Sequence, residues 1–163
     1  MRKAVALVAG LAILGFANFG IYQRERLLTD GRIVLLRMAP VDPRSLMQGD
    51  YMRLNFEVAD KAFPFGGRER AGDGHIVVAV DPHQVGHFRR FADGRPLARG
   101  EIALRYRVRG GRPNFATNAY FFEEGQARAF EKAEYGEFRV GAGGDMILTG
   151  LRDDRLRPLQ PAR

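Results

Sequence analysis

Ser45 is a candidate nucleophile if a desolvated lysine lies beside it. A serine hydroxyl needs a base, and lysine serves as one only where its surroundings lower the pKa of the amine. Lys61 and Lys132 are the two lysines that follow the N-terminal segment. The first lies in a loop rich in glycine and proline and the second in a short predicted helix, so neither is expected to be desolvated. A hydroxyl in a turn is the simpler interpretation of Ser45.

The residues that follow Ser45 support a serine hydrolase as an alternative function. Ser45-Leu46-Met47 stands just before Gly49-Asp50. This order is similar to that of signal-peptidase-like serine proteases, in which a Ser-Met pair precedes a Gly-Asp strand and a lysine is the base. The resemblance implies an envelope serine hydrolase that uses Ser45. Because no desolvated lysine is expected, we predict no catalytic residue and favour a protein that is not an enzyme.

Histidines and glycine-rich turns offer no better site. The chain has no cysteine, which excludes disulfides and thiolate zinc sites. His83 and His87 have the spacing of metal ligands on a helix, but the residues between them do not favour a helix. The glycine-rich turn at residues 141–144 leads into a strand and lacks the helix N-terminus that would hold a phosphate. We therefore predict no metal and no cofactor.

A polar rim around residues 41–53 is the remaining candidate for recognition. Asp42 and Arg44 flank Pro43 and place opposite charges on a rigid turn. Arginine and tyrosine are frequent contact residues in interfaces, and arginine binds carboxylates. The competing interpretation is that the aspartates cap turns while Arg44 pairs with one of them. The recognition rim consists of Asp42, Arg44, Asp50, Tyr51, Arg53 and Glu123.

The net charge of +7 does not indicate a nucleic-acid partner. Residues 1–26 hold four basic groups and one acidic group, so the rest of the chain carries 22 basic and 18 acidic groups. These charges are interspersed, as on a solvated surface. We expect no binding of nucleic acid.

An N-terminal membrane anchor is predicted from residues 4–22, an uncharged apolar run with basic groups on both flanks. As a helix the run covers roughly 28 Å, close to the roughly 30 Å of a hydrocarbon core. A cleaved signal peptide would need small residues at its end, where bulky ones stand. We predict a single-pass anchor in the inner (cytoplasmic) membrane. The short N-terminal tail favours an extracytoplasmic, periplasmic location for the rest of the chain.

Beyond residue 30 the sequence has the period of two that is typical of β-strands. Strands are predicted at residues 33–38, 51–58, 75–80, 85–91, 101–108, 135–140 and 145–151, with a hairpin turn at 141–144. Residues 59–74 are predicted as an exposed loop, and residues 125–133 as the one short helix. The expected fold class is mainly β, a small antiparallel barrel or sandwich behind the transmembrane helix.

These elements divide the chain into four parts. Residues 1–26 are the anchor with its flanks, 27–30 a short joint, 31–152 the β domain, and 153–163 a charged tail on the surface. A short joint keeps the domain close to the bilayer. Its partners are therefore expected to be the bilayer itself and other membrane proteins.

Two motifs carry a resemblance to a known family. Residues 49–56 read Gly-Asp-Tyr-Met-Arg-Leu-Asn-Phe, and residues 120–126 read Tyr-Phe-Phe-Glu-Glu-Gly-Gln. Together with the turn at residues 40–44 and the closing strand pair, they resemble the GDYXXLXY family of bacterial membrane-anchored proteins over residues 31–152. Phe56 stands where the motif has a final tyrosine, so a hydroxyl is absent there.

The resemblance implies an N-terminally anchored envelope protein of unassigned function. Members of the family are often encoded beside a multispanning membrane protein, and no catalytic residues carry over from them. The expected function is that of an accessory module that binds such a membrane protein.

Overall fold

A computed structural model describes residues 2–39, 47–48, 51–67 and 72–160. The protein is mainly β, as predicted, with an N-terminal helix that precedes the β domain. The elements in chain order are α1 (Arg2–Asp30), β1 (Arg32–Arg37), β2 (Met47–Gln48), β3 (Tyr51–Arg53), α2 (Glu57–Ala62), β4 (Asp73–Val80), β5 (Gly86–Phe91), β6 (Glu101–Arg109), β7 (Arg112–Asn114), β8 (Ala119–Phe121), α3 (Ala127–Phe130), β9 (Tyr135–Val140) and β10 (Met146–Arg152).

The strands of the described residues pair antiparallel in three sheets. β9 lies between β1 and β10, β3 lies between β2 and β8, and the third sheet has the order β5-β4-β6-β7. Single bridges connect the sheets: Leu35 pairs with Val85, and Met38 pairs with Phe56. The strands form a half-barrel around one hydrophobic core.

The core is built from the alternate side chains that the sequence pattern places on inner faces. On β6, Leu104 and Tyr106 are buried while Ile102 and Val108 pack against the same cluster. β9 shows strict alternation, with its even-numbered positions buried. The side chains with no exposed surface include Val34, Leu36, Leu54, Ile76, Val78, Leu104 and Phe138. All three sheets therefore share one core.

Helix α1 contains the predicted anchor. Among the described residues, one helix is long and apolar enough to cross a membrane, and none of its apolar window is buried. Asn18, the polar residue within the run, donates its amide to the Leu14 carbonyl at 2.8 Å and so is satisfied inside the helix. The helix is compatible with a membrane anchor.

The expected joint at residues 27–30 is the last turn of α1, because the helix continues to Asp30. Gly31 donates its N–H to Leu27 at 3.1 Å, and Arg139 donates to the Gly31 carbonyl at 3.0 Å. Any side chain at Gly31 would overlap the Leu27 carbonyl oxygen. Glycine is thus required where the helix passes into β1, and β9 clamps that point.

The predicted strand over residues 51–58 is wrong in its second half. Met52, Leu54, Phe56 and Val58 are all buried, but the backbone becomes helical at Glu57. The Phe56 carbonyl accepts the Ala59 N–H at 2.8 Å, and Glu57 pairs with Lys61 four residues on. A buried side chain at position 58 satisfies both periods, so the sequence pattern alone did not distinguish them.

The expected loop at residues 59–74 therefore begins with a helix. α2 buries Val58 and Ala62, one turn apart, and Phe63 follows it into the core. Phe63 meets Phe91 and Tyr106 edge-on, with ring centroids 5.2 and 5.0 Å away. The glycines and proline of this segment suggested a loop, whereas its apolar side chains hold it to the core.

Later elements agree more closely with the sequence pattern. β4, β5, β9 and β10 form where strands were predicted, and β9 and β10 pair as a hairpin. The predicted helix at residues 125–133 forms only over Ala127–Phe130. The three-residue strands β7 and β8 were not predicted, because three positions are too few to establish a period.

Replacing Phe56 with alanine should lower the free energy of unfolding by about 3–5 kcal/mol. The Phe56 ring is 2% exposed and meets Phe138 edge-on, with centroids 5.3 Å apart. Denaturant unfolding of the full chain in detergent, followed by circular dichroism, measures the loss. The matched control is Phe65→Ala, whose ring is 77% exposed and whose loss should stay within about 0.5 kcal/mol. Equal losses in both variants would contradict this core position.

Candidate functional site

The recognition rim is only partly described by the structure. Asp42, Arg44 and Asp50 lie outside the described residues, as does Ser45. Tyr51 and Arg53 lie on β3, and Glu123 follows the end of β8. These three residues are the part of the rim whose geometry is known.

β3 and β8 bring Tyr51 and Arg53 together with two residues that the rim did not include. Tyr51 pairs with Phe121, and Arg53 pairs with Ala119, in antiparallel register. Directly opposed residues of an antiparallel pair lie on the same face. We call the group of Tyr51, Arg53, Ala119 and Phe121 the aromatic edge.

The aromatic edge has one face turned away from the core. The intervening pair of Met52 and Tyr120 points inward, and Tyr120 meets Phe130 at 5.1 Å. The rings of Tyr51 and Phe121 lie 5.7 Å apart with a tilt of 38°, yet Phe121 remains 74% exposed. Arg53 is exposed beside them. A large exposed ring next to an arginine is typical of a contact surface.

Glu123 is separate from this cluster. It is exposed two residues beyond the end of β8, and its carbonyl accepts the Gln126 N–H at 3.1 Å. Within the part of the chain that is described, its carboxylate forms no ion pair with Arg53. The structure therefore joins Tyr51 and Arg53 but does not bring Glu123 to them.

The two lysines do not provide a base for Ser45. Lys61 has about half of its side chain exposed, and its Nζ lies 2.6 Å from the Glu57 carboxylate. This hydrogen bond is the main cause that holds the pKa of Glu57 below its ordinary value. Lys132 is exposed after α3. Neither amine is desolvated as a serine–lysine mechanism requires.

Two of the three histidines lie on strands that the sequence predicted, at residues 75–80 and 85–91. His75 lies on β4 and His87 on β5, and the Nε2 of His75 is 3.1 Å from the Gly143 carbonyl oxygen. The described residues contain no group of three histidine, aspartate or glutamate side chains that could hold a metal ion. His87 instead forms a pair with Asp81, at 3.1 Å.

Asp81 and His87 line a polar cleft of about 590 Å³, between α2, the β4–β5 turn and the C-terminal segment. Its other charged or histidine side chains are Arg37, Glu57, Lys61, His83, Asp154 and Arg155. Burial raises the pKa of Asp81, but hydrogen bonds from the Val85 N–H, from His87 and from the His83 N–H together hold it below the ordinary value. The carboxylate thereby fixes the turn that carries His83.

The C-terminal side of this cleft rests on Asp153. The expected surface tail is ordered here, because the buried Asp153 carboxylate accepts the backbone N–H groups of Arg155 and Arg157 at 3.0 and 2.8 Å. The Arg157 guanidinium adds a hydrogen bond at 2.8 Å, and it is the main cause that lowers the pKa of the carboxyl. Leu159 then packs against the core. Asp154 and Arg155 are thus held at the cleft.

A larger groove lies where α1 meets the β domain. It has a volume of about 1250 Å³ and runs from the last turns of α1 to β6 and to the β9–β10 turn. We call it the basic groove, because its charged side chains are Arg24, Arg26, Asp30, Arg32, Arg105, Arg107 and Asp145. No local sequence pattern marks this groove as a whole, since its residues are dispersed among ordinary surface charges. The one local signal is the group of arginines that flanks the apolar run.

Comparison with known proteins identifies one family. A family model described as GDYXXLXY protein matches residues 13–151, which is most of the chain. No curated protein and no solved structure matches. In the motif, Leu54 and Phe56 are core side chains, while Tyr51 belongs to the aromatic edge. The motif thus contributes to both the core and the surface.

Replacing Asp153 with asparagine should lower the melting temperature of the β domain at pH 7. A carboxyl whose pKa is lower in the folded state stabilises the fold fully above its unfolded value of about 3.9. That contribution is lost as the pH falls through the folded value, so the difference from wild type should shrink below about pH 4. Thermal unfolding between pH 3 and pH 7 measures it.

The matched control for this change is Asp154→Asn, the exposed neighbour. It should leave the melting temperature close to that of wild type at every pH. A deficit for Asp153→Asn that is as large at pH 3 as at pH 7 would contradict the role of the ionised carboxylate.

Proposed function

Because the chain belongs to the GDYXXLXY family, we propose that it is a membrane-anchored accessory module whose β domain binds an integral membrane protein. In this proposal α1 is a single span of the inner (cytoplasmic) membrane. The β domain lies on the extracytoplasmic, periplasmic side. The partner is a multispanning protein of the same membrane.

The length and surface of α1 support the anchor. Among the described residues, none of its apolar window is buried against the domain, so in water that window would form a large exposed hydrophobic surface. A hydrocarbon core removes that surface from water. In this orientation Arg2 and Lys3, which precede the span, lie on the cytoplasmic side, where basic residues are favoured.

The exposure of Phe121 is the observation that supports a protein partner most directly. Burying a phenylalanine side chain contributes about 1.5–3 kcal/mol, and here the ring stays in water beside Tyr51 and Arg53. In the described part of the sheet, β8 is also an edge strand, with β3 on one side only. An exposed aromatic ring on an edge strand provides both apolar area and backbone groups for a partner.

A photo-crosslinking amino acid at position 121 should form an adduct with a multispanning membrane protein in intact cells. The same amino acid at position 65 is the control, because Phe65 has a similar exposed fraction but belongs to the segment between α2 and β4 rather than to β3 or β8. Mass spectrometry identifies the adduct.

A companion variant, Phe121→Ala, should lose most of the co-purified partner at an unchanged melting temperature. Equal adducts from the two positions, or recovery of the protein without any membrane protein, would contradict the proposed interface.

The proposed orientation has its own measurement. Alkaline phosphatase fused after Arg163 should be active, because it folds only outside the cytoplasm, and a cytoplasmic fluorescent reporter fused there should be dark. The reverse pattern would place the β domain in the cytoplasm.

A further inference from the structure

The basic groove has more positive charge than its own carboxylates neutralise. Five arginines and two aspartates line it, a net charge of +3. Arg26 approaches Asp30 at 3.5 Å, and Arg105 lies 3.1 Å from Asp145. In the described parts of the chain, Arg24 and Arg32 form no ion pair, and Arg107 reaches Asp73 only at 3.7 Å. Two guanidinium groups therefore remain unpaired, and a third, that of Arg107, contacts its carboxylate only through a long approach of Nε.

These arginines are arranged around an opening rather than along a flat surface. Arg24 and Arg32 lie on α1 and at the start of β1, while Arg105 and Arg107 are alternate residues of β6. Apolar side chains that are partly exposed, among them Leu27, Ile102 and Ile147, line the same groove. A ligand with both an anionic group and an apolar part matches this lining.

If α1 is the anchor, the position of the basic groove along the bilayer normal is also defined. Its outermost lining residue on α1, Gly20, belongs to the apolar run, and Arg24 comes one turn later. The helix rises roughly 12 Å between Tyr22 and Asp30, and a headgroup layer is about 5–7 Å thick on each side. The groove therefore begins at the headgroups and extends slightly above them.

We propose that the basic groove binds the phosphate of an anionic phospholipid from the leaflet next to the β domain. The inference rests on the proposed membrane anchor. Arg24, Arg32 and Arg107 contact the phosphate, because guanidinium groups form paired hydrogen bonds with phosphate oxygens. The acyl chains lie along the apolar surface of α1, and the glycerol occupies the apolar part of the groove.

Native mass spectrometry of the full chain in detergent tests the proposal. Phosphatidylglycerol and phosphatidylcholine with the same acyl chains are added in turn, and the bound fraction is measured. Phosphatidylglycerol should be retained at least tenfold better. Losing one hydrogen bond to a charged group weakens binding by about tenfold or more, so the triple variant with Arg24, Arg32 and Arg107 changed to Gln should bind at least tenfold more weakly.

The control variant carries the same loss of charge elsewhere. Arg89, Arg99 and Arg128 are exposed and lie outside the groove, and their change to Gln should alter retention by less than about twofold. An equal loss in both triple variants overturns the site, because it would reflect net charge alone. Retention of soluble glycerol phosphate as strongly as of the lipid overturns the assignment to a membrane lipid.

Flotation with vesicles separates this inference from the function on which it depends. A chain that floats with neither neutral nor anionic vesicles overturns the anchor and the lipid site together. A chain that floats with both, but retains the two lipids equally in detergent, overturns the lipid site alone.

Discussion

The packing of Phe56 over β9 is the contact on which the domain depends. The ring meets Phe138 and lies so close to Gly136 that a side chain there would press against both rings. β9 in turn pairs with β1 and β10 and clamps the end of α1 through Arg139. One phenylalanine of the family motif thus fixes the strand that joins the helix, the sheet and the core. The contact is made by the ring, so it does not depend on the hydroxyl of the tyrosine that the motif has at this position.

The arginines of this protein serve different purposes in different places. Asp93 holds Arg90 and Arg95 through short contacts, and the hydrogen bond from Arg95 lowers the pKa of that carboxyl to about 2. Such exposed ion pairs contribute little to stability. In the basic groove Arg26, Arg105 and Arg107 also pair with carboxylates, whereas Arg24 and Arg32 form no ion pair within the described residues. These two arginines are the part of the groove that ion pairing does not explain.

The extent to which the sequence predicted the fold depended on the length of each element. The strand of residues 101–108 repeats its period of two often enough to be recognised, while residues 33–38 and 75–80 are apolar runs of strand length. At residues 57–63 a helical turn and a strand bury the same few positions, so the pattern is compatible with both. The structure has a helix where the end of a strand was predicted. β8 was too short to detect, and without it the aromatic edge was visible only as Tyr51 and Arg53.

The candidate sites were harder to predict than the fold. Phe121 joins Tyr51 through a strand pairing that spans about seventy positions. The basic groove combines residues near 24–32, 105–107 and 141–147, which no local pattern connects. Asp42, Arg44 and Asp50, which the sequence did suggest, lie outside the described residues. Such sites form when the fold brings distant parts of the chain together. The hydrophobic period of a sequence indicates only which side chains are buried.

The passage of α1 into β1 without a flexible linker also has a mechanical consequence. The hydrogen-bonded last turn of α1, Gly31 and the bond from Arg139 on β9 leave no flexible hinge between α1 and the β domain. Rotation of α1 about its axis then rotates the whole β domain. A change in the tilt of α1 raises or lowers the domain. In the proposed membrane-anchored state, the search for the proposed membrane partner is confined to two dimensions with most rotations already fixed. Little orientational freedom is then left to lose on binding.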